Sequence, residues 1–451
     1  MVTTPNQNRE NTDILVIGGG PAGSTFSTLM AEKGRKVIML EMGHHPRFHI
    51  GESLLPMTLP IFERLGVADQ IKDIGITKYG AEFNAMEGEK TRETFYFDFA
   101  LDKSHPHAYE IHRPEFDQIL FQNSRDKGVD AREGIKVTDI SFNDDASVNV
   151  NAKNQDGEEL LFKAQFLIDA SGRETFLSRR FKLKQKSKEH NSAAIFGHFD
   201  NVVRREGKDE GNISIYWFEH GWFWMIPLKG GRMSVGAVCY PEYLKTRAGS
   251  TEAFLQQTID MVPEIKERMA NAQLAGEVRA TGNFTYGSSK MYGDPGENWL
   301  LLGDAYAFID PVFSSGIHIA MSGAVKAADA IEHCLEHPEA SQKALSEYKQ
   351  QITQALKTFS WLIHRFNSPA IQKLFMSPSN QWRIQESLIS LLAGDLYRDT
   401  PVQKGLNIFK IIYYISFIKN LPGAWATHRR RKKNIKLMFT GGTTEQDNLK
   451  E

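Results

Sequence analysis

The run Asp13-Ile14-Leu15-Val16-Ile17, followed at once by Gly18-Gly19-Gly20-Pro21-Ala22-Gly23, constrains this chain more than any other segment. A short apolar run rich in β-branched residues reads as a buried parallel strand, which has no face for water. Pro21 to Lys33 is compatible with a helix, and Gly34 is a natural stop for it. Lys36 to Leu40 then reads as a second buried strand ending at Glu41. Together these predict a βαβ unit with a dinucleotide-binding loop of Gly18, Gly20, Ala22 and Gly23. Gly18 permits the tight turn and Gly20 lets backbone approach a pyrophosphate. Gly23 lets helix and strand pack closely, and the helix N-terminus offers partial positive charge. Glu41 follows Gly20 by twenty-one residues. An acidic side chain there accepts both hydroxyls of an adenosine ribose, which favours FAD or NAD over NADP.

The chain has 451 residues, so two or three packed regions are expected. A formal net charge of −1 gives no electrostatic reason to expect nucleic acid or an anionic membrane as partner. Cys239 and Cys334 are the two cysteines, which excludes a disulfide framework and fits a cytoplasmic location. The first twelve residues show no basic-then-apolar targeting pattern. Leu406 to Leu421 is the longest apolar stretch, and Lys410 and Lys419 interrupt it. It falls short of the ~20 apolar residues of a membrane span. The histidines show no metal-ligand spacing, so no metal site is expected.

Tyr79 to Phe99 reads as strands, with Phe95 to Phe99 as one antiparallel strand. His112-Arg113-Pro114 opens a helix through Phe116, Ile119 and Leu120. Val137 to Phe162 reads as a hairpin about Gln155-Asp156-Gly157, and Phe166 to Gly172 returns to the nucleotide-binding sheet. Residues from about 190 to 240 read as an antiparallel sheet, including Ile213 to Phe218, Trp222 to Pro227 and Met233 to Val238. Trp299 to Ala305 is a buried strand ending in a glycine-aspartate turn. After Gly316 the periodicity turns helical, with Leu345, Tyr348, Ile352, Leu356, Phe359, Leu362 and Phe366 on one face.

Several segments carry chemistry. Gly221-Trp222-Phe223-Trp224-Met225-Ile226-Pro227 resembles the WxWxIP signature of flavin-dependent halogenases. Phe308-Ile309-Asp310-Pro311-Val312-Phe313-Ser314-Ser315-Gly316 resembles that family's FxxPxxSxG box. Gly51-Glu52-Ser53-Leu54-Leu55-Pro56 resembles a GES stretch shared with flavin hydroxylases and prenyl reductases. Lys78-Tyr79-Gly80-Ala81 resembles the surroundings of the essential lysine in phenol-type halogenases, and Gly303-Asp304-Ala305 resembles FAD enzymes related to aromatic hydroxylases.

The resemblance covers residues 10 to 330. It implies an α/β fold, with a Rossmann-like FAD-binding domain of the aromatic-hydroxylase/halogenase type, an antiparallel-sheet substrate region and a helical C-terminal region. Nucleotide-binding segments are expected at about 10–78, 105–180 and 280–330, and substrate-sheet segments at about 79–104 and 190–279. The helical region follows at 331–451. Asp304 would lie near the ribityl chain, with Arg47, Ser53, Arg113, Pro311 and Gly316 as further flavin contacts. Trp222, Trp224, Phe308 and Phe313 would shape the space between flavin and substrate. The amides of Ser315 and Gly316 would face the halide, with Ser314 beside them as a catalytic candidate. The resemblance further implies that reduced FAD, O2 and chloride, bromide or iodide yield hypohalous acid, which Lys78 directs to one ring position. An ammonium could hydrogen-bond the electrophile, and a neutral amine could form a haloamine. The sequence leaves both open.

One departure narrows the substrate. Halogenases acting on free tryptophan carry a glutamate immediately before the serine matching Ser314, and this chain has Phe313 there. The Val-Phe-Ser-Ser-Gly version resembles enzymes acting on phenols or carrier-tethered aromatic groups. No second complete dinucleotide domain is visible, so a separate flavin reductase is the expected source of FADH2. The basic run His428 to Lys433 could dock an acidic carrier protein or be simply solvated. The patch around Tyr413, Tyr414 and Phe417 reads as a lid over the substrate pocket or a homodimer face. The alternatives are an FAD aromatic hydroxylase of the same fold, a prenyl-chain reductase and a non-enzymatic flavin-binding protein.

Overall fold

The first strand covers Glu10–Ile17 and pairs in parallel with Val37–Leu40 on one side and Glu159–Asp169 on the other. The computed structural model describes residues 9–186, 192–282, 285–398 and 400–419, so the basic run His428 to Lys433 lies outside the described residues. Asp130–Arg132 and Trp299–Leu301 extend the parallel sheet at its two sides. The expected hairpin is present, with Gly157 at φ +83° in its turn. It is one corner of a three-strand meander, Lys136–Phe142, Val148–Lys153 and the first half of Glu159–Asp169. The last of these strands runs unbroken into the parallel sheet.

The helix Pro21–Glu32 is buried over most of its length. It packs between the helices Arg113–Asp126 and Ser315–Glu336. Glycine also seats the helix on the loop before it: a Cβ on Gly23 would stand 1.9 Å from the Gly18 carbonyl oxygen. Gly18 itself has φ +100°, and a Cβ there would stand 2.4 Å from the Ala170 carbonyl oxygen. Both positions are closed to any other residue.

A second sheet runs in the order Gln273–Leu274, Ala193–Asp200, Met233–Cys239, Gly221–Pro227, Ile213–Phe218, Gly80–Asn84 and Arg92–Tyr96. It is antiparallel except where Ile213–Phe218 runs beside Gly80–Asn84. Alternation sorts its two faces. Trp222, Trp224 and Ile226 belong to the core shared with the nucleotide-binding elements. Phe223 and Met225 pack instead with Phe254, Leu255 and Ile265. The last three lie on helices Thr251–Ile259 and Pro263–Arg268, within a stretch that the sequence reading assigned to sheet. A further correction falls at Phe95–Phe99. The strand ends at Tyr96: Phe97 N–H still donates to the Tyr79 carbonyl, but Tyr79 N–H donates to Asn212 Oδ1 and the Phe97 carbonyl accepts from Ala100 N–H, closing a 3-10 turn over residues 97–99.

From Ser315 onward the longer elements are all helices: Ser315–Glu336, Ser341–Ile363, Pro369–Met376, Ile384–Leu392 and Val402–Lys419. Ser341–Ile363 buries Leu345, Tyr348, Ile352, Phe359 and Leu362, a helical stripe. Leu356 of the expected face is only half-buried, whereas Phe366, just beyond the helix, is buried. Val402–Lys419 packs on Ile384–Leu392, buries Val402, Leu406, Phe409 and Tyr413, the last two edge-on to Trp361, and leaves Ile411 and Ile418 exposed. Among the described residues no helix is long and apolar enough to cross a membrane.

Gly236 shows how tightly the second sheet is packed. A Cβ there would lie 2.3 Å from the Trp224 ring and 2.5 Å from Phe196 Cβ. Gly236→Ala is therefore expected to destabilise the protein by about 1–3 kcal/mol, as overpacked cores do. Urea denaturation followed by tryptophan fluorescence measures this directly, and an unchanged midpoint would contradict it.

Candidate active site

A cavity of 1240 Å³ opens between the ends of the parallel strands and the tryptophan face of the second sheet. Gly18, Gly20 and Ala22 form its floor at one end, and Trp222 and Trp224 stand at the other. Drug-sized ligands occupy roughly 300–1,000 Å³, so a dinucleotide is the scale of molecule that fits. Gly23 sits behind the loop against Gly18 rather than on the wall.

Glu41 occupies the end of the second strand. Its Oε2 accepts from Gly19 N–H at 2.8 Å and from Arg47 Nη2 at 3.0 Å, and its Oε1 accepts from Gly43 N–H at 2.9 Å. Burial works against its charge, but Arg47 and the two amides outweigh it and hold the carboxyl below the ordinary range. Arg47 also lies 3.5 Å from Asp117, which Arg113 grips through two bonds of 2.9 and 3.0 Å. The result is a chain of alternating charge, Glu41–Arg47–Asp117–Arg113, along the cavity wall. Arg47 Nε and Nη1 are buried without a hydrogen-bond acceptor among the described residues. Such donors, beside a helix N-terminus, fit an anionic ligand such as a pyrophosphate. His49 lies on the same wall, its imidazole lowered to about 4 by burial and by Arg47 and Arg113.

Further along, Asp304 lies half-buried in a 3-10 turn after Trp299–Leu301. Burial pushes its carboxyl up to about 6, against the pull of Arg173 and Arg113. Phe308 and Pro311 line the same stretch, with Phe308 stacked on Tyr286 at 6.0 Å. Ser314 adopts φ +55° and is the N-cap of helix Ser315–Glu336, so the helix begins at Ser315. Ser314 and Gly316 line the cavity, and a side chain at Gly316 would meet open space. Ser315 points elsewhere: it is fully buried, and its hydroxyl has no hydrogen-bond partner among the described residues.

Phe313 is not on the wall. It is 4% exposed and packs edge-on against Phe366 at 5.3 Å, with Phe375 stacked at 6.4 Å. The C-terminal helical region thus closes over the position where tryptophan-acting enzymes carry a glutamate. A carboxylate there would be desolvated among aromatic rings. Trp222 and Trp224 do share one face, with ring centroids 5.8 Å apart, and Trp224 Nε1 donates to Ser234 Oγ at 3.1 Å.

Lys78 stands behind the wall at 1% exposure. Its Nζ donates to Ser53 Oγ at 2.8 Å and to the Leu54 carbonyl at 3.1 Å, and Ser53 itself lines the cavity. Burial draws the amine below its ordinary range, opposed by the Glu110 carboxylate 3.9 Å away. Sequence reasoning missed Glu110, Asp117 and the pair formed by Glu52 and His198. His198 Nε2 lies 2.7 Å from Glu52 Oε1, with His112 nearby. That separation is a hydrogen bond, shorter than the roughly 3.3 Å between two ligands of a tetrahedral zinc.

The fold and cavity define an FAD-binding protein, and residues 11–359 match the family model described as FAD binding domain. Within it the chain belongs to the flavin-dependent halogenases. It is 31% identical over 408 residues to a 1H-pyrrole-2-carbonyl-[peptidyl-carrier protein] brominase of Pseudoalteromonas luteoviolacea, covering 88% of this chain and 95% of the relative. It is 32% identical over 349 residues to a tryptophan 2-halogenase of Chondromyces crocatus, covering 76% of this chain but 65% of the relative's length. Among solved structures, the myxobacterial chondrochloren halogenase CndH superposes with a TM-score of 0.75 at 34% identity. That match covers 87% of this chain and 92% of the other.

Two outcomes are expected, the first at this site and the second just behind it in the core. Glu41→Ala should raise the Kd for FAD about tenfold, the value of a lost charge-assisted hydrogen bond, and flavin fluorescence titration measures it. His318, in the first turn of helix Ser315–Glu336, is lowered from 6.5 to about 4 by burial. A histidine lowered on folding binds its proton more readily when unfolded, so its stabilising contribution is present above pH 6.5 and is lost toward pH 4. Wild type minus His318→Gln, compared by denaturation across that window, should diverge by on the order of 3 kcal/mol.

Proposed function

We propose that this protein uses reduced FAD, O2 and a halide to halogenate an electron-rich ring, either a free phenol or an aromatic group tethered to a carrier protein. The observation that carries the reading is Lys78, fully buried one residue behind the cavity wall and held through Ser53. Lone lysines are almost always solvated, and burying one is costly unless it is used or paired. The carrier brominase among the relatives supports the tethered variant. The halogenase relatives favour this chemistry over direct hydroxylation.

Bound FADH2 would supply two electrons to O2, so that O2, halide and a proton yield hypohalous acid and water as the flavin returns to FAD. The chain's own residues do the rest. Glu41 and Arg47 hold the adenosine and pyrophosphate end, while Arg113, Asp304 and Pro311 border the flavin. The amide of Gly316, at the start of a 22-residue helix, offers the halide a donor with partial positive charge. Ser315 contributes its amide rather than its buried hydroxyl. Ser314 lends its hydroxyl at the cavity edge. Trp222 and Trp224 fill the space beside the flavin and keep water out. Lys78 receives the electrophile and presents it to one ring position. A phenolate is already activated toward electrophiles, so Phe313 in place of a carboxylate is no handicap. FADH2 would come from a separate reductase.

Mass spectrometry of products from the purified protein, FAD, a flavin reductase, NADH and a simple phenol tests this. Parallel reactions contain chloride, bromide or iodide. The expected result is a halide-dependent mass shift that Lys78→Ala abolishes while flavin oxidation continues. Equal halogenation by the variant would remove Lys78 from the mechanism, and a hydroxylated product formed without halide would favour the hydroxylase.

A further inference from the structure

Among the described residues, Glu110 is a buried carboxylate beside Lys78 with neither oxygen satisfied. It lies at the end of Ala108–Glu110, the strand that pairs with Ile76–Lys78, and is 0% exposed. Neither of its carboxylate oxygens has a hydrogen-bond donor among the described residues. The Ser53 hydroxyl is close enough to favour its charged form without bonding geometry. Lys78 Nζ has used two donor directions on Ser53 and Leu54, and lies 3.9 Å from Glu110 Oε1. A buried ammonium and a buried carboxylate at that separation, neither fully hydrogen-bonded, cannot titrate independently.

We propose that Glu110 is a positioning residue that sets the protonation of Lys78. This deepens the reading of Lys78 given above and rests on it only for its catalytic consequence. The exchange is a proton transfer: Lys78 ammonium plus Glu110 carboxylate gives Lys78 amine plus Glu110 carboxylic acid, with net charge unchanged. The pair therefore presents a neutral unit to the interior in either form, which neither residue could do alone. The ionisable groups acting on it are few. Burial pushes Glu110 up to about 8, Lys78 pulls it down and Glu52 pushes it up. On Lys78, burial acts downward and Glu110 upward. Phe97, 5.5 Å from Nζ, adds a ring face but no charge.

The test reads Lys78 directly in the full-length protein without flavin. Protein labelled with 13C at lysine Cε is titrated by NMR, the Lys78 resonance being assigned by its loss in Lys78→Arg. Replacing Glu110 by glutamine keeps shape and polarity but removes the charge that favours the ammonium. The Lys78 midpoint is expected to move to lower pH by about one unit or more, and Glu110→Asp to restore part of the shift. An unchanged or higher midpoint in Glu110→Gln would overturn the proposal. In turnover, the limb of the halogenation pH profile that belongs to Lys78 should move the same way. A falling alkaline limb would mark the ammonium as the working form, and a rising acidic limb the amine. A profile that superimposes on wild type would overturn the proposal. Activity retained by Lys78→Ala would instead sink the catalytic reading while leaving the NMR result standing.

Discussion

The cavity exists because three stretches of backbone approach more closely than side chains would permit. Ala170 N–H donates to the Ile17 carbonyl at 2.8 Å, and Gly18 and Gly23 fold against that junction with no Cβ to hold them off. This contact fixes where Glu10–Ile17 ends, where the helix Pro21–Glu32 begins and how that helix lies on the sheet. Glu159–Asp169 then carries the geometry outward, since its last residue accepts from the Ser171 and Leu177 amides at 2.9 and 2.8 Å. Arg113, Asp304 and helix Ser315–Glu336 take their places around a floor that is already set.

The parts legible in the sequence were those whose signal is local. A strand-glycine-helix run, an acidic residue at a fixed offset and two tryptophans at period two each declare themselves within a few residues. Segments of this kind also carried the resemblance that implied the fold class. The helices at 251–268 were not legible, because their apolar residues serve the far face of the second sheet and carry no motif. The turn at Phe97 was hidden for a different reason: Asn212, from a distant segment, takes the Tyr79 N–H that would continue the ladder, and so ends a strand that aromatic propensity would prolong.

Site residues divide the same way. Glu41 and the Gly18–Ala22 loop can be found by spacing, and the structure brings them together with Arg47 and Arg113 on one wall. Asp117 and Glu110 cannot be found so, since each gains meaning from a partner in a separate segment. Ser314 and Ser315 show the limit of a motif: adjacent in sequence, one borders the cavity and the other is turned into the core. A left-handed backbone at Ser314 separates their fates.

Ile76–Lys78 and Ala108–Glu110 pair with each other, Glu110 also bridges to Ser53, and neither strand belongs to a large sheet. The two big hydrogen-bond ladders carry the architecture, while this two-strand ribbon holds the buried amine and its acidic neighbour. The polar side chains of the ribbon take no part in either ladder, which is built of backbone. The proton affinity of the interior can therefore drift between descendants of this chain while the scaffold stays fixed, much as an instrument is retuned without being rebuilt.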